Sequence, residues 1–345
     1  ILLHVVPAFT GLRWRSEQIA RAALALFAIA SGAFVVSLLL DVRFAGIAAA
    51  VIFIGLLGYV LVAWWTLSAA SGLERTERAI ARAISITLLM LVTVASLGLL
   101  LSFFASGTLS GDWIARLPAA HANLGFYGWL SLLVYGVSAR TIRPICGTKS
   151  RFAWVHVVVG TSTLAGAPVL AIGLGLGSAL VMWIGAALLG LGALAYIADI
   201  VDILIRATES HRPPQAFIAA AIAWLLLAAA LGAAVLAGRP LAFAYGFAVL
   251  IGWIGQLVNA HTFHIGTRLI ATVYRGEDDE TRPAELLDRR LSWTSFGLFQ
   301  AAVASIVCGL AFENAAVVGW GAVAGTAAWL AMIANLALAR ARARA

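Results

Sequence analysis

The stretch Gly252-Trp-Ile-Gly-Gln-Leu-Val-Asn-Ala-His-Thr-Phe-His-Ile-Gly-Thr-Arg268 decides the fold that the sequence predicts. It lies in a run, 241–271, that is apolar enough to cross a bilayer, yet it carries several polar side chains before it reaches an arginine. Polar side chains at membrane depth are costly unless they find partners, so they usually face the interior of a helical bundle. We therefore expect a transmembrane helix with one polar, inward-facing side.

The rest of the chain has the same character. Of its 345 residues, 63% are hydrophobic and 11% are charged, and the mean hydropathy is +0.99. Apolar runs of about 20 residues predict ten complete spans and part of an eleventh at 1–10. The complete spans are predicted at 19–40, 45–69, 83–105, 119–141, 153–175, 178–205, 215–237, 241–271, 292–312 and 315–339. The predicted fold is an all-α polytopic transmembrane helical bundle, a single integral membrane domain over 1–345. Because the first residue is Ile1, we expect the natural protein to begin earlier.

Basic residues are distributed unevenly between the two sides of this predicted bundle. Of the 23 lysine and arginine residues, all but Arg43, Arg116 and Arg239 fall in one alternate set of connections or span ends. Connections rich in lysine and arginine usually lie in the cytoplasm. The bias predicts a multi-pass protein in the lipid bilayer with a cytoplasmic C-terminus. It also accounts for the net charge of +8 without a nucleic-acid partner.

Short matches along the chain indicate an internal repeat. Gly128-Trp129 and Gly252-Trp253 recur 124 residues apart, and Asp199 and Asn335 lie 136 residues apart at matching points of later helices. Membrane proteins are often built from such repeats. The pattern predicts three four-helix units, at about 1–69, 70–205 and 206–345. Under this repeat, three polar residues occupy equivalent positions, namely His4, Arg140 and His264.

Four histidines are predicted to share one depth near the basic side. At the rise of a helix, they lie roughly 6–10 Å inside the interface. They are His4, His156, His261 and His264, whereas His121 lies near the opposite end of its span. Asp199 and Asp202, three residues apart, fall in the same layer. Residues at that spacing are neighbours on a helix.

These residue types allow three kinds of site. Neutral imidazole is a ligand for heme iron, copper and zinc, so two facing histidines could hold a heme whose propionates meet Arg140, Arg143 or Arg268. Alternatively, His261 and His264, with His4 or His156, could hold a copper or zinc ion. In the third case, Asp199, Asp202 and the histidines form a proton path. The same residues could instead bond to backbone carbonyls or to one another and lock the helices together.

Three segments carry a resemblance to a known family. They are His121-Ala-Asn-Leu-Gly-Phe-Tyr-Gly-Trp129, Ser138-Ala-Arg-Thr-Ile-Arg-Pro-Ile-Cys-Gly147 and Leu2-Leu-His-Val-Val-Pro-Ala-Phe-Thr-Gly11. They resemble the NnrS family of twelve-helix membrane proteins, linked to nitric oxide stress in denitrifying bacteria and containing heme and copper. The layout is also similar to that of heme-copper oxidase subunit I. The resemblance implies a bacterial inner membrane, heme b and copper as cofactors, other respiratory membrane subunits as partners, and ligand roles for His121 and His4.

The sequence also departs from the oxidase pattern. It has no adjacent pair of histidines for copper and no His-Pro-Glu motif. We therefore expect no full binuclear catalytic centre and no enzymatic activity of that kind.

The predicted function is a heme- or copper-binding inner-membrane protein of the nitric oxide response or the respiratory chain. Its first-choice ligands are His261 and His264, which are also the candidate metal ligands, followed by His4, His156 and His121. A proton-coupled secondary transporter is the alternative, and it predicts a helix broken near Gly160-Thr-Ser-Thr-Leu-Ala-Gly-Ala-Pro168. A non-catalytic subunit or assembly factor of a respiratory complex is a further alternative.

Overall fold

The computed structural model describes residues 6–7, 10–109, 111–152, 154–209, 212–276 and 283–344. Within these ranges every regular element is helical, and nine helices are long and apolar enough to cross a membrane. The first helices are α1 (Glu17–Leu40), α2 (Ala45–Leu67), α3 (Arg75–Ala105), α4 (Leu117–Asn123) and α5 (Leu132–Cys146). The next are α6 (Val155–Leu176), α7 (Ala179–Ile205), α8 (Arg212–Leu236), α9 (Ala242–Phe247), α10 (Gln256–Arg275), α11 (Arg289–Ala311) and α12 (Ala315–Arg344). The predicted all-α, multi-pass fold is thus confirmed at this level.

The predicted span at 119–141 is helical but is not among those nine. Its residues form one continuous helix, in which α4 passes through a π-helical segment into α5. The helix is long enough to span, about 45 Å at the usual rise. Its composition is less apolar because it carries His121, Asn123 and Arg140. A tenth span at this position stays a prediction.

Two π-helical segments interrupt the α-helices. They cover Leu124–Ser131 and Ala248–Gly255, and they begin 124 residues apart (248 − 124). This is the spacing at which Gly-Trp recurs, so Gly128-Trp129 and Gly252-Trp253 occupy the same position in each segment. π-Helical turns are rare and often mark functional sites. The Gly-Trp match therefore has a structural counterpart, while the division into three four-helix units stays a prediction.

The helix break suggested for a transporter does not occur at Pro168. Helix α6 continues from Val155 to Leu176 with Pro168 inside it. A proline removes one backbone hydrogen bond, and helices packed in a bundle tolerate that loss. This segment therefore does not provide the broken helix that the transporter alternative predicts.

The helices form two compact units. Unit 1 comprises Ile1–Leu133 and Thr161–Leu189. In it, α1 and α2 pack closely, because a Cβ on Gly55 would lie 2.9 Å from the backbone nitrogen of Phe27. The indole N–H of Trp64 donates to the carbonyl of Ser85 at 3.2 Å and ties α2 to α3. Small residues and side chain-to-backbone bonds thus hold this unit together, as is usual for membrane helices.

Unit 2 comprises Val134–Gly160 and Gly190–Ala345. Its α12 is fastened to the start of α11 by the fully buried amide of Asn335. The amide oxygen accepts from the Asp288 backbone N–H at 2.8 Å, and the amide nitrogen donates to the Asp288 carbonyl and the Ser292 hydroxyl, both at 2.9 Å. The Asp288 carboxylate accepts from the Leu291 N–H and caps α11, and that bond holds the pKa of Asp288 below its usual value.

Large apolar side chains remain on the outside of these helices. Leu40 is 81% exposed and Phe243 is 83% exposed, and many similar residues lie along the spans. In a membrane-embedded bundle such side chains contact lipid, which is as apolar as they are.

A glycine in α7 tests the close packing of α6 and α7 within unit 1. A Cβ on Gly185 would lie 2.4 Å from the backbone nitrogen of Leu170, whereas one on Gly190 meets nothing within 4 Å. We expect Gly185→Ala to destabilise the protein by about 1–3 kcal/mol, because the obstructing atoms are backbone. Thermal unfolding in detergent measures this, with Gly190→Ala as the matched control on the same helix. Equal melting temperatures for both variants would contradict the packing described here.

Candidate functional site

Unit 2 contains a groove of about 330 Å³ between α5 and α10. Its lining residues come from these two helices alone, namely Arg140, Thr141, Pro144, His264, Ile265, Arg268, Leu269 and Thr272. On α10 they recur every three to four residues and form one stripe along the helix. Three residues predicted to bind a cofactor, Arg140, His264 and Arg268, are therefore brought together.

The groove combines positive charge with apolar surface. The guanidinium-bearing residues Arg140 and Arg268 are exposed, and His264 is half-buried. Ile265 is 44% exposed and Leu269 is 60% exposed, so both offer apolar contact area. An anionic group attached to an apolar body matches such a lining. The sequence analysis missed the apolar members, although the stripe from 264 to 272 was a signal that could have identified them.

His264 is the imidazole that faces this groove. Among the residues that the structure describes, no hydrogen bond to its ring nitrogens is found. Its nearest charged or titratable neighbours are Arg268, His261 and Glu209, all of which act on it electrostatically. Its ring is thus available to a ligand in the groove, in a surrounding that is mainly positive.

His261 has a different environment, although it lies only three residues before His264. Its Nδ1 donates to the Leu257 carbonyl at 2.6 Å, and its Nε2 bonds the Thr141 hydroxyl at 2.5 Å. Both ring nitrogens are therefore occupied within the protein. A metal ion held jointly by His261 and His264 would have to displace one of these bonds, and that predicted pair stays a prediction.

The protons shared by His261 and Thr141 can be counted. The Leu257 carbonyl can only accept, so Nδ1 carries a proton. The Thr141 hydroxyl also lies 2.9 Å from the Val137 carbonyl and has a single proton to give. A neutral His261 ring therefore accepts a hydrogen bond at Nε2 from the Thr141 hydroxyl. A protonated ring instead donates from Nε2 to the hydroxyl oxygen, and the hydroxyl then donates to the Val137 carbonyl. The charge of His261 is thereby coupled to the orientation of Thr141.

The remaining predicted histidines do not converge on the groove. The Arg143 guanidinium donates to Nε2 of His156 at 3.0 Å. In unit 1, Nδ1 of His121 donates to the Val94 carbonyl at 3.0 Å, and the ring packs against Gly98, where a Cβ would be 3.0 Å from Cε1. His4 lies outside the described residues. The bonding of an imidazole to a nearby carbonyl, one of the possibilities raised by the sequence, is thus observed for His121 and His261.

The two aspartates of α7 have separate partners. Asp202 forms an ion pair with Arg206, which also donates to the Thr148 hydroxyl at 3.0 Å and to the Lys149 carbonyl at 2.8 Å. Asp199 is 3% exposed and accepts a hydrogen bond from the Ser150 hydroxyl. Asp199 ties α7 directly to the connection between α5 and α6, and Asp202 does so through Arg206. The amide of Asn335 likewise ties α12 to the start of α11.

A further polar network crosses the middle of unit 2. Gln256 and Gln300 exchange two amide bonds of 2.9 Å, and the Trp224 indole donates to Gln300 at 3.2 Å. The network links α8, α10 and α11. Beside it, Tyr135 packs against Trp253 with ring centroids 5.4 Å apart. Gln256 belongs to the polar side of the stretch that predicts this helix, but residue spacing does not identify its partners.

Metal-binding chemistry finds little support in this arrangement. In the part of the chain that the structure describes, no group of three His, Cys, Asp or Glu side chains could hold a metal ion. Burial raises the pKa of the Cys146 thiol to about 11, which opposes formation of the thiolate that binds metals. No protein-family model, curated protein or solved structure matches the chain. The resemblance to the NnrS family therefore stays a prediction.

Replacing Thr141 tests its bond to His261. We expect Thr141→Val to lower the free energy of unfolding by about 1–3 kcal/mol, because it leaves Nε2 of a largely buried ring without a partner. Thr141→Ser keeps the hydroxyl and is expected to be milder. Thr262→Val is the matched control, since the hydroxyl of Thr262 bonds the Val258 carbonyl one turn earlier on α10 and, among the described residues, reaches no other helix. Unfolding in detergent measures all three, and equal effects of Thr141→Val and Thr262→Val would exclude the interhelical bond.

Proposed function

We propose that the protein is a heme-binding membrane protein of the nitric oxide response or the respiratory chain, without a full binuclear catalytic centre. The single observation that carries this proposal is the groove of unit 2, where Arg140, His264 and Arg268 meet beside apolar side chains. The assignment to the nitric oxide response rests on the resemblance of the His121–Trp129 segment and its companions. The proposed membrane is the bacterial inner membrane.

The residues of the groove suit a heme in three respects. His264 offers one imidazole as an axial ligand for iron. Arg140 and Arg268 offer guanidinium groups for two propionates, which guanidinium binds well. Ile265, Leu269 and Pro144 offer apolar surface for the ring. The cavity of about 330 Å³ is at the lower end of ligand sites, so part of a bound heme would lie outside it.

Each side chain has one task in this proposal. His264 would hold the iron, and the described residues that line the groove include no second imidazole. The two arginines neutralise the propionates and set the orientation of the ring. When bound, heme supplies electron transfer or the binding of a small gas. His261, bonded to Thr141, stiffens α10 one turn before His264 and serves as a positioning residue.

A visible absorption spectrum tests the heme proposal. We expect the purified chain, expressed with sufficient heme, to show a Soret band that His264→Ala abolishes. Arg268→Gln is expected to lower heme occupancy because it removes one propionate partner. His156→Ala is the matched control, since this histidine is also near the basic side but bonds Arg143. A Soret band of equal strength in His264→Ala, or none in the unmodified chain, would reject the assignment.

A second candidate is a non-catalytic subunit or assembly factor of a respiratory complex. It is favoured by the number of polar side chains in unit 2 that bond one another between helices, such as Gln256 with Gln300 and His261 with Thr141. In that case the polar layer mainly specifies helix packing. Stable co-purification with an oxidase or reductase, in a chain that lacks a Soret band, would support it. Copper at His261 and His264 and proton coupling through Asp199 or Asp202 stay predictions.

We further propose that the C-terminus lies in the cytoplasm. The arginine-rich ends of the helices, which include Arg268, Arg275 and Arg340, support this orientation through the usual charge bias. A fluorescent protein fused after the C-terminus should therefore fluoresce, and alkaline phosphatase fused there should be inactive. Fusions after Arg239, between α8 and α9, should give the reverse result. Phosphatase activity at the C-terminus would overturn the orientation.

A further inference from the structure

We propose that the groove between α5 and α10 is a headgroup site for an anionic phospholipid of the cytoplasmic leaflet. The phosphate would lie at the Arg140 and Arg268 guanidinium groups, and an acyl chain would run from Leu269 past Ile265 toward the bilayer centre. The leaflet rests on the orientation proposed above. The site itself does not depend on heme.

Charge complementarity is the first argument. Two guanidinium groups and one imidazole line the groove, and no carboxylate is among the described residues that line it. Guanidinium binds phosphate through paired N–H donors and is only weakly hydrated, so it is well suited to a partly desolvated phosphate. Within the described residues, Arg268 forms no ion pair that a lipid phosphate would have to displace. Basic pockets between membrane helices are typical sites for anionic headgroups.

The position of the groove along α10 is the second argument. Its lining runs from His264 to Thr272, and α10 ends at Arg275. The nine residues from His264 to Thr272 extend over about 12 Å of helix, and in the proposed orientation they lie at the end of α10 nearest the cytoplasmic headgroups. The exposed Ile265 and Leu269 share the α10 stripe with the basic residues. A free anion would make no use of that apolar surface, whereas a phospholipid uses both parts.

Heme and phospholipid share an anionic head and an apolar body, and both would use the guanidinium groups of Arg140 and Arg268. An anionic lipid is therefore expected to compete with heme at His264, so that membrane composition would regulate occupancy. The lipid proposal and the heme proposal can nevertheless be rejected independently of each other. Lipid binding is measured without heme, and heme binding is measured in zwitterionic lipid.

Native mass spectrometry of the purified full chain tests the lipid site. The probes are phosphatidylglycerol and phosphatidylcholine with identical acyl chains, in equal amounts. We expect phosphatidylglycerol to be retained preferentially. Arg140→Gln and Arg268→Gln should each weaken that preference about fivefold, since an arginine near the headgroups contributes about 1 kcal/mol. The double variant should lose roughly 25-fold if the two arginines act independently.

Arg289→Gln is the matched control, because it removes an exposed arginine from the same basic side but lies outside the groove. It should leave the preference unchanged. Arg140→Lys with Arg268→Lys retains the charge and should keep part of the preference. If the glutamine variants do not fold, the preference of the unmodified chain and its decrease with salt still decide the question.

Three outcomes would overturn the lipid site. The first is equal retention of phosphatidylglycerol and phosphatidylcholine by the unmodified chain. The second is an equal loss in Arg289→Gln and Arg268→Gln, which would indicate a general surface effect. The third is displacement of phosphatidylglycerol by inorganic phosphate at similar concentration, which would identify a site for a free anion. If the Soret band is absent but the lipid preference is present, only the heme proposal is rejected.

Discussion

Hydrogen-bonding groups inside an apolar bundle have no water molecules as partners. The structure of unit 2 therefore depends on the hydrogen bonds that these groups form within the protein. His261 reaches Thr141 and Leu257, Asn335 reaches the start of α11, and Gln256 exchanges two bonds with Gln300. Each of these bonds joins elements that are distant in sequence or fixes a ring against its own helix. Apolar side chains cannot select one helix arrangement by themselves when the surrounding lipid is equally apolar. The polar pairs provide that selection.

Close backbone contact fixes how the two helices of a hairpin pack against each other. In unit 2, a Cβ on Gly309 would meet the backbone nitrogen of Val318 at 2.8 Å, and one on Gly321 would meet the Ala302 carbonyl at 3.0 Å. These distances leave no space for a side chain, so the backbones of α11 and α12 are in close contact at both glycines. The two π-helical segments add a local change in helix geometry. Each carries a Gly-Trp pair, and in the second segment Gly252 packs against the Trp224 ring.

The groove between α5 and α10 differs from these bonded pairs. Most polar side chains of unit 2 bond another part of the protein, but Arg268 and His264 face an open cavity with apolar walls. Placing positive charge beside apolar surface favours a ligand that is anionic at one end and apolar at the other. Both heme and an anionic phospholipid meet that description. The adjacent His261 and Thr141 pair places a group with two protonation states next to this charge.

The sequence by itself determined the class of the protein and the expected sidedness. Runs of about 20 apolar residues are a strong local signal, because the thickness of the bilayer sets their length, and nine of the predicted spans have matching helices among the described residues. The sequence also included Arg140, His264 and Arg268 among seven candidate cofactor-binding residues, without singling them out as a group. Only the tertiary structure decided that His261 bonds Thr141, that Asp199 and Asp202 have different partners, and that Ile265 and Leu269 complete a groove. Those pairings depend on which helices become neighbours and on how each is rotated, and the spacing of residues along one helix carries no information about the helix that will face it.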